Sequence, residues 1–204
     1  MIRVLSVDDH PVVREGIAAL IARQADMELI AEASNGREAV EQFRTHRPDV
    51  TLMDLQMPEM SGIDALSAIR SEFPDARIIV LTSYSGDVQI SRALRSGARA
   101  YLLKDMLRKE LLDTIRAVHA GHKRLSSEAA TGIAEHSTDE TLTPRETDVL
   151  RLIAAGNANK EIAAQLGLTE ETVKHHVKNI LSKLGANDRT HAVTIALKRG
   201  IINL

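Results

Sequence analysis

The stretch Val50-Thr51-Leu52-Met53-Asp54-Leu55-Gln56-Met57-Pro58-Glu59-Met60-Ser61-Gly62 constrains the fold more than any other. A mostly apolar run bounded upstream by Pro48 and Asp49 predicts a short buried strand. Asp54 arrives where that strand should end, and Pro58 and Gly62 mark a loop beyond it. A lone acid there is by default a helix cap or a solvated loop residue. At the mouth of a parallel sheet it becomes a functional carboxylate, because open α/β folds place their ligands at that edge. Three further strand-like runs decide between these readings. Ile2–Val7 ends in Asp8-Asp9, Ile78–Leu81 in Thr82-Ser83, and Ala100–Leu103 in Lys104. Carboxylates, a hydroxyl and an ammonium gathered at one sheet edge form a site; scattered caps would not repeat in this way.

From Ile2 to about Ala120 strands and helices alternate. Strands are expected near Arg3–Val7, Glu28–Ala33, Asp49–Met53, Arg77–Leu81 and Ala100–Leu103. Helices are expected near Val12–Arg23, Arg37–Thr45, Ile63–Glu72, Asp87–Ser96 and Leu107–Ala120, the last with Leu111, Leu112, Ile115 and Val118 at helical spacing. The alternation predicts an α/β fold, a doubly wound five-stranded parallel sheet with helices on both faces, over residues 1–120. Residues 121–141 turn small and polar and predict a linker, with a short helix around Glu128–Glu135. The chain holds no cysteine, which excludes disulfides, thiol catalysis and cysteine-based zinc sites. No apolar run reaches membrane-spanning length and no signal-peptide pattern opens the chain, so a cytoplasmic protein is expected.

Residues 142–204 predict a small all-α domain. Thr143-Pro144-Arg145-Glu146 combines a capping Thr, a Pro at the first helical position and a Glu three after the cap. A short helix over Asn159–Leu166, a turn at Gly167-Leu168-Thr169 and a longer helix over Glu170–Leu184 make a helix-turn-helix. A last helix, Asp188–Arg199, is expected to follow Asn187 as its cap. Charge divides accordingly: residues 1–120 carry 15 Lys and Arg against 18 Asp and Glu, and residues 142–204 carry 9 against 6. An acidic front and a mildly basic back suit a cation-dependent site followed by a polyanion binder.

The strand ends resemble those of a two-component receiver domain. Leu142-Thr143-Pro144-Arg145-Glu146, Asn159-Lys160-Glu161-Ile162-Ala163 and Thr172-Val173-Lys174-His175-His176 resemble the LuxR-type DNA-binding domain. Together they resemble the NarL/FixJ family of response regulators, with only the linker outside the match. The resemblance implies the flavodoxin-like strand order 2-1-3-4-5, whose switch point lies between the strands ending in Asp8-Asp9 and Asp54. It implies Asp54 as phosphoacceptor from a partner histidine kinase. It also implies a Mg²⁺ held by Asp9, Asp54 and the Gln56 backbone carbonyl, with Asp8 acting through water. All-oxygen ligands suit that ion. Lys104 and the Thr82 hydroxyl would meet the phosphoryl oxygens, and Tyr101 would couple Thr82 to the surface as a switch. Asp105 follows Lys104 where many receivers have proline, so the cis peptide often found there is less expected. A phospho-aspartyl enzyme of the haloacid dehalogenase type would want Asp-x-Asp closing its first strand, which Asp8-Asp9-His10 does not supply.

On Glu170–Leu184, Val173, Val177, Ile180, Leu181 and Leu184 share one face, opposite Glu171, His175, Lys178, Asn179 and Ser182, with Lys174 on the flank. The expected DNA contacts are Lys160, Thr172, Lys174, His175, Lys178 and Asn179. Adjacent helix positions diverge by about 100°, which argues against an ion shared by His175 and His176. The resemblance adds a homodimer on activation, with Ala192, Val193, Ile195 and Ala196 contributing; packing inside the domain explains those residues as well. The resulting expectation is a transcription factor switched by phosphorylation. The alternative is a phosphorylation-independent DNA-binding regulator whose receiver serves as an interaction module.

Overall fold

The computed structural model describes residues 1–83, 86–125 and 141–202. The expected helix at Glu128–Glu135 lies outside them. The chain forms two compact units, a sheet unit and a helical unit.

In chain order residues 1–125 run β1 (Ile2–Val7), α1 (Pro11–Ile21), β2 (Met27–Ala33), α2 (Gly36–His46), β3 (Val50–Asp54), α3 (Gly62–Glu72), β4 (Ile78–Thr82), α4 (Asp87–Arg95), β5 (Ala100–Leu103), a 3-10 turn over Lys104–Met106, α5 (Leu107–His119) and β6 (Arg124–Leu125). All pairs are parallel, in the order β2-β1-β3-β4-β5-β6. β1, β3 and β4 are buried on both faces, which is why their sequences run nearly continuously apolar instead of alternating. One face packs Val4, Leu52, Ile79, Leu81 and Leu102 against Ile17 and Ile21 of α1 and Leu111, Ile115 and Val118 of α5. Each such side chain contributes about 1.5–3 kcal/mol on burial.

The expected strand count is corrected by β6. Arg124 and Leu125 pair with Ala100 and Tyr101, so two residues assigned to the linker extend the sheet. Both are exposed and polar-flanked, so no apolar pattern announced them. No peptide bond among the described residues is cis.

The helical unit holds α6 (Pro144–Ala154), α7 (Asn159–Leu166), α8 (Glu170–Leu184) and α9 (Arg189–Lys198). The capping box predicted for α6 forms: Thr143 Oγ1 accepts from the Glu146 amide and Glu146 accepts from the Thr143 amide. Thr169 caps α8 through the Thr172 amide, and Gly167 takes the left-handed conformation that ends α7. The cap of α9 is Asp188 instead of Asn187: its carboxylate accepts from the His191 amide at 2.8 Å. Both residue types cap well, so only the backbone, extended at Asp188, separates them. Val149, Leu150, Ile153, Ile162, Val173, Ile180, Leu184, Ala192 and Ala196 form the core of this unit.

Candidate functional site

Register carries the sheet-edge site. Val7 pairs with Met53, Asp54 with Leu81, and Thr82 with Leu103, so the residues that finish β1, β3, β4 and β5 arrive at one carboxyl-terminal edge. Asp54 is 3% exposed, and Asp8 and Thr82 are likewise buried. Lys104 reaches back from the turn after β5, its Nζ 2.7 Å from Asp8 Oδ2 and 2.9 Å from Asp54 Oδ2. Only 12% of its side chain is exposed.

Burial pushes the Asp54 carboxyl above its usual range; the Lys104 hydrogen bond and charge oppose this, while the charge of Asp8 reinforces it. For Lys104, burial acts against the ammonium, yet its bonds to Asp8 and Asp54 hold it above the usual lysine value. One ammonium serves both buried carboxylates, so removal of Asp54 from water outweighs the share of Lys104 that it receives.

The loop after Asp54 folds back tightly. The Gly62 amide donates to the Leu55 carbonyl at 3.0 Å, and a Cβ at Gly62 would run into the carbonyl of Asp54. The same loop docks on α2, where the Gly36 amide donates to the Met60 carbonyl at 3.1 Å. Glu59 sits at φ 63°, a left-handed conformation uncommon for a side chain of this kind. The Gln56 amide lies 3.4 Å from Asp54 Oδ1, which turns the backbone of Gln56 toward the carboxylate.

Tyr101 is fully buried on β5; burial pushes its hydroxyl well above the usual tyrosine range, and the hydrogen bond between that hydroxyl and the Thr82 side chain opposes this. Two residues beside the acids were not picked out as site residues from the sequence. His10 places Nδ1 2.7 Å from Asp9 Oδ1 and 3.2 Å from Asp8 Oδ1. Arg14, one helical turn further, donates to the Asp8 carbonyl at 2.6 Å. Their spacing after Asp8-Asp9, next in chain and then i+4, was the available signal.

In the helical unit, His175, Lys178 and Lys174 are exposed on α8, and Asn179 and Thr172 are half-buried there. Asn179 Nδ2 approaches His175 Nδ1 at 3.4 Å, and Thr172 Oγ1 bonds the Thr169 hydroxyl at 2.8 Å. Lys160 stands exposed in the first turn of α7, off the longer helix. Lys174 is not a free cation: Glu170 and Glu171 lie 3.5 and 3.6 Å from its ammonium. On the inner side Glu146 bonds Lys183 Nζ at 2.8 Å, tying α6 to α8.

A switch-point edge of this kind ahead of a helix-turn-helix is the arrangement of a response regulator, and comparison with known proteins agrees over both units. Residues 4–116 match the response regulator receiver domain, and residues 140–196 match the luxR family of bacterial regulatory proteins. The transcriptional regulatory protein LiaR of Bacillus subtilis is 44% identical over the full length of both chains. The response regulator VraR of Staphylococcus aureus is 38% identical, covering 98% of this chain and 99% of its own. Salmonella RcsB, solved bound to a promoter with a beryllofluoride phosphomimetic, is 26% identical with a TM-score of 0.74, covering 95% of this chain and 97% of that one. The chain belongs to the NarL/FixJ family of two-component response regulators. It is a response-regulator transcription factor with a LuxR-type DNA-binding domain. No helix among the described residues is long and apolar enough to cross a membrane.

Proposed function

We propose that Asp54 accepts a phosphoryl group from a partner histidine kinase in the cytoplasm and that this shifts the protein toward a DNA-binding homodimer. In this reading residues 1–120 are the receiver, 121–141 the linker, of which Arg124 and Leu125 pair with the receiver sheet, and 142–204 the DNA-binding domain. The observation that carries it is the shared Lys104 ammonium between Asp54 and Asp8 at the end of adjacent buried strands.

Three carboxylates at one edge exceed what a single ammonium neutralises, and Asp9 Oδ1 is buried without a hydrogen-bond partner among the described residues. Donor atoms of Asp8, Asp9 and Asp54 lie within 4.8 Å of one another, a set that fits Mg²⁺. Asp9, Asp54 and the Gln56 carbonyl would hold the ion directly, and Asp8 through water. When bound, a divalent cation offsets the charge of the acids and of the incoming phosphoryl oxygens.

The residues of the chain supply the rest. An Asp54 carboxylate oxygen forms the new O–P bond as the donor's N–P bond breaks, and the imidazole leaves with the electron pair. Lys104 neutralises the transferred oxygens, and the Thr82 hydroxyl donates to one of them. Tyr101, bonded to Thr82, couples this edge to the surface of β5. In the helical unit α8 enters the major groove; Lys178, His175 and Asn179 meet base edges or phosphates, and Lys160, Thr172 and Lys174 approach the backbone.

Incubation of the purified protein with acetyl phosphate tests the acceptor. Labelling should require Mg²⁺ and Asp9, and should vanish in Asp54→Asn. Undiminished labelling of that variant would place the acceptor elsewhere.

A further inference from the structure

His10 belongs to no role in this scheme, yet its ring lies against the acidic edge. Its amide donates to Asp8 Oδ1 at 2.9 Å, which pins the residue at the start of α1. As N-cap of that helix it makes no side-chain capping bond, so the imidazole is not committed to the helix end. Lys104 takes Asp8 Oδ2 and Asp54 Oδ2, whereas His10 Nδ1 faces the other side of the cluster, toward Asp8 Oδ1 and Asp9 Oδ1. The acids are therefore divided between an ammonium half and an imidazole half.

Nδ1 is hydrogen-bonded to Asp8 Oδ1 at 3.2 Å and stands 2.7 Å from Asp9 Oδ1, an atom with no hydrogen-bond partner among the described residues. One ring nitrogen therefore sits between oxygens of two carboxylates. Donor atoms of Asp8, Asp9, His10 and Asp54 all lie within 4.8 Å of one another. A cation reached at about 2.0–2.2 Å from nitrogen and oxygen ligands fits among such atoms with small side-chain adjustments. His10 is 66% exposed, so its ring turns without repacking a core.

We propose that His10 is a nitrogen ligand of this site, which therefore takes divalent first-row transition ions such as Mn²⁺ and Ni²⁺ in addition to Mg²⁺. The inference rests on the metal reading of Asp8, Asp9 and Asp54 given above. An imidazole adds little for a hard ion that prefers oxygen, but it raises affinity for Mn²⁺ and more so for Ni²⁺ along the divalent series. The competing account is a surface histidine that only ion-pairs with its acidic neighbours, which is common and needs no metal.

Electron paramagnetic resonance on the full chain separates the two. Mn²⁺ bound to the wild type should show electron spin-echo modulation from a directly coordinated ¹⁴N, absent in His10→Gln. By calorimetry, Ni²⁺ affinity should fall by about tenfold or more in His10→Gln, while Mg²⁺ affinity changes by less than about threefold. The proposal requires both results; a bound Mn²⁺ without His10-dependent ¹⁴N coupling, or equal Ni²⁺ affinity in the two proteins, overturns it and leaves the Mg²⁺ reading intact. Failure of Mn²⁺ to bind the wild type, or equal binding in Asp9→Asn, overturns the metal reading and this inference with it.

Discussion

Replacing Glu146 with alanine should destabilise the helical unit strongly, although the residue touches neither proposed site. Glu146 is 3% exposed and accepts from the Thr143 amide at 2.7 Å and from Lys183 Nζ at 2.8 Å. Alanine removes both acceptors. Loss of the reciprocal cap costs about 1 kcal/mol. Breaking a buried ion pair by deleting one partner costs about 3–5 kcal/mol when the other stays dry. Lys183 retains 19% exposure and regains water, which brings the expected total to about 2–4 kcal/mol. At roughly 4–8 °C per kcal/mol for a unit of this size, the helical transition should fall by about 8–32 °C. Glu146→Gln keeps the shape and an acceptor for Thr143 but loses the charge, and should cost roughly half as much. Thermal melts of the full chain followed by far-ultraviolet circular dichroism measure this. The same variants test pH linkage. Burial opposes ionisation of Glu146, but Lys183 and the Thr143 amide and hydroxyl outweigh it and hold the carboxyl below its usual range. Its stabilisation is complete above the unfolded value of about 4.3 and is lost as pH falls through the lower folded value. An alanine variant that melts within about 2 °C of the wild type would refute the reasoning, because neither the cap nor the pair could then be contributing.

Gly62→Ala should cost at least about 1–3 kcal/mol in urea denaturation and slow labelling by acetyl phosphate, because the added methyl displaces the Asp54 backbone; wild-type values for both would contradict the close approach. Tyr101→Phe should destabilise by about 0.5–1.5 kcal/mol through loss of its bond to Thr82, with an unchanged urea midpoint as the contrary result. Lys178→Ala should cost about 1–3 kcal/mol mainly on a preferred duplex, whereas Lys174→Ala should weaken all duplexes and lower the salt slope by about one. Titrations at several salt concentrations compare them, and indifference of both variants on both duplexes would remove α8 as the reader.

The chain declared its elements through local physics. β3 could be read because its residues are buried on both faces and Pro48, Asp49 and Asp54 bound it. α6 could be read because Thr143, Pro144 and Glu146 satisfy the first turn from within four residues. The turn between α7 and α8 was equally legible, since Gly167 adopts a backbone that side chains disfavour. Where local signals tied, at Asn187 and Asp188, the sequence offered two equivalent caps and only the backbone path chose.

What depends on partners far apart in the chain was decided by tertiary structure. That Asp8, Asp54, Thr82 and Lys104 carry chemistry was suggested by their positions at strand ends, and register brings them to one edge. The sharing of one ammonium between Asp8 and Asp54 depends on how far Lys104 reaches back, which no spacing encodes. β6 formed because the β5 edge offered unpaired backbone groups to an exposed two-residue segment. The pairing of Glu146 with Lys183 joins residues on separate helices whose charges look solvent-facing in isolation. Hydrogen-bonded caps and apolar periods act over a few residues and are written in order along the chain. Charge pairing and burial act through space, so their outcome appears only when the elements have packed.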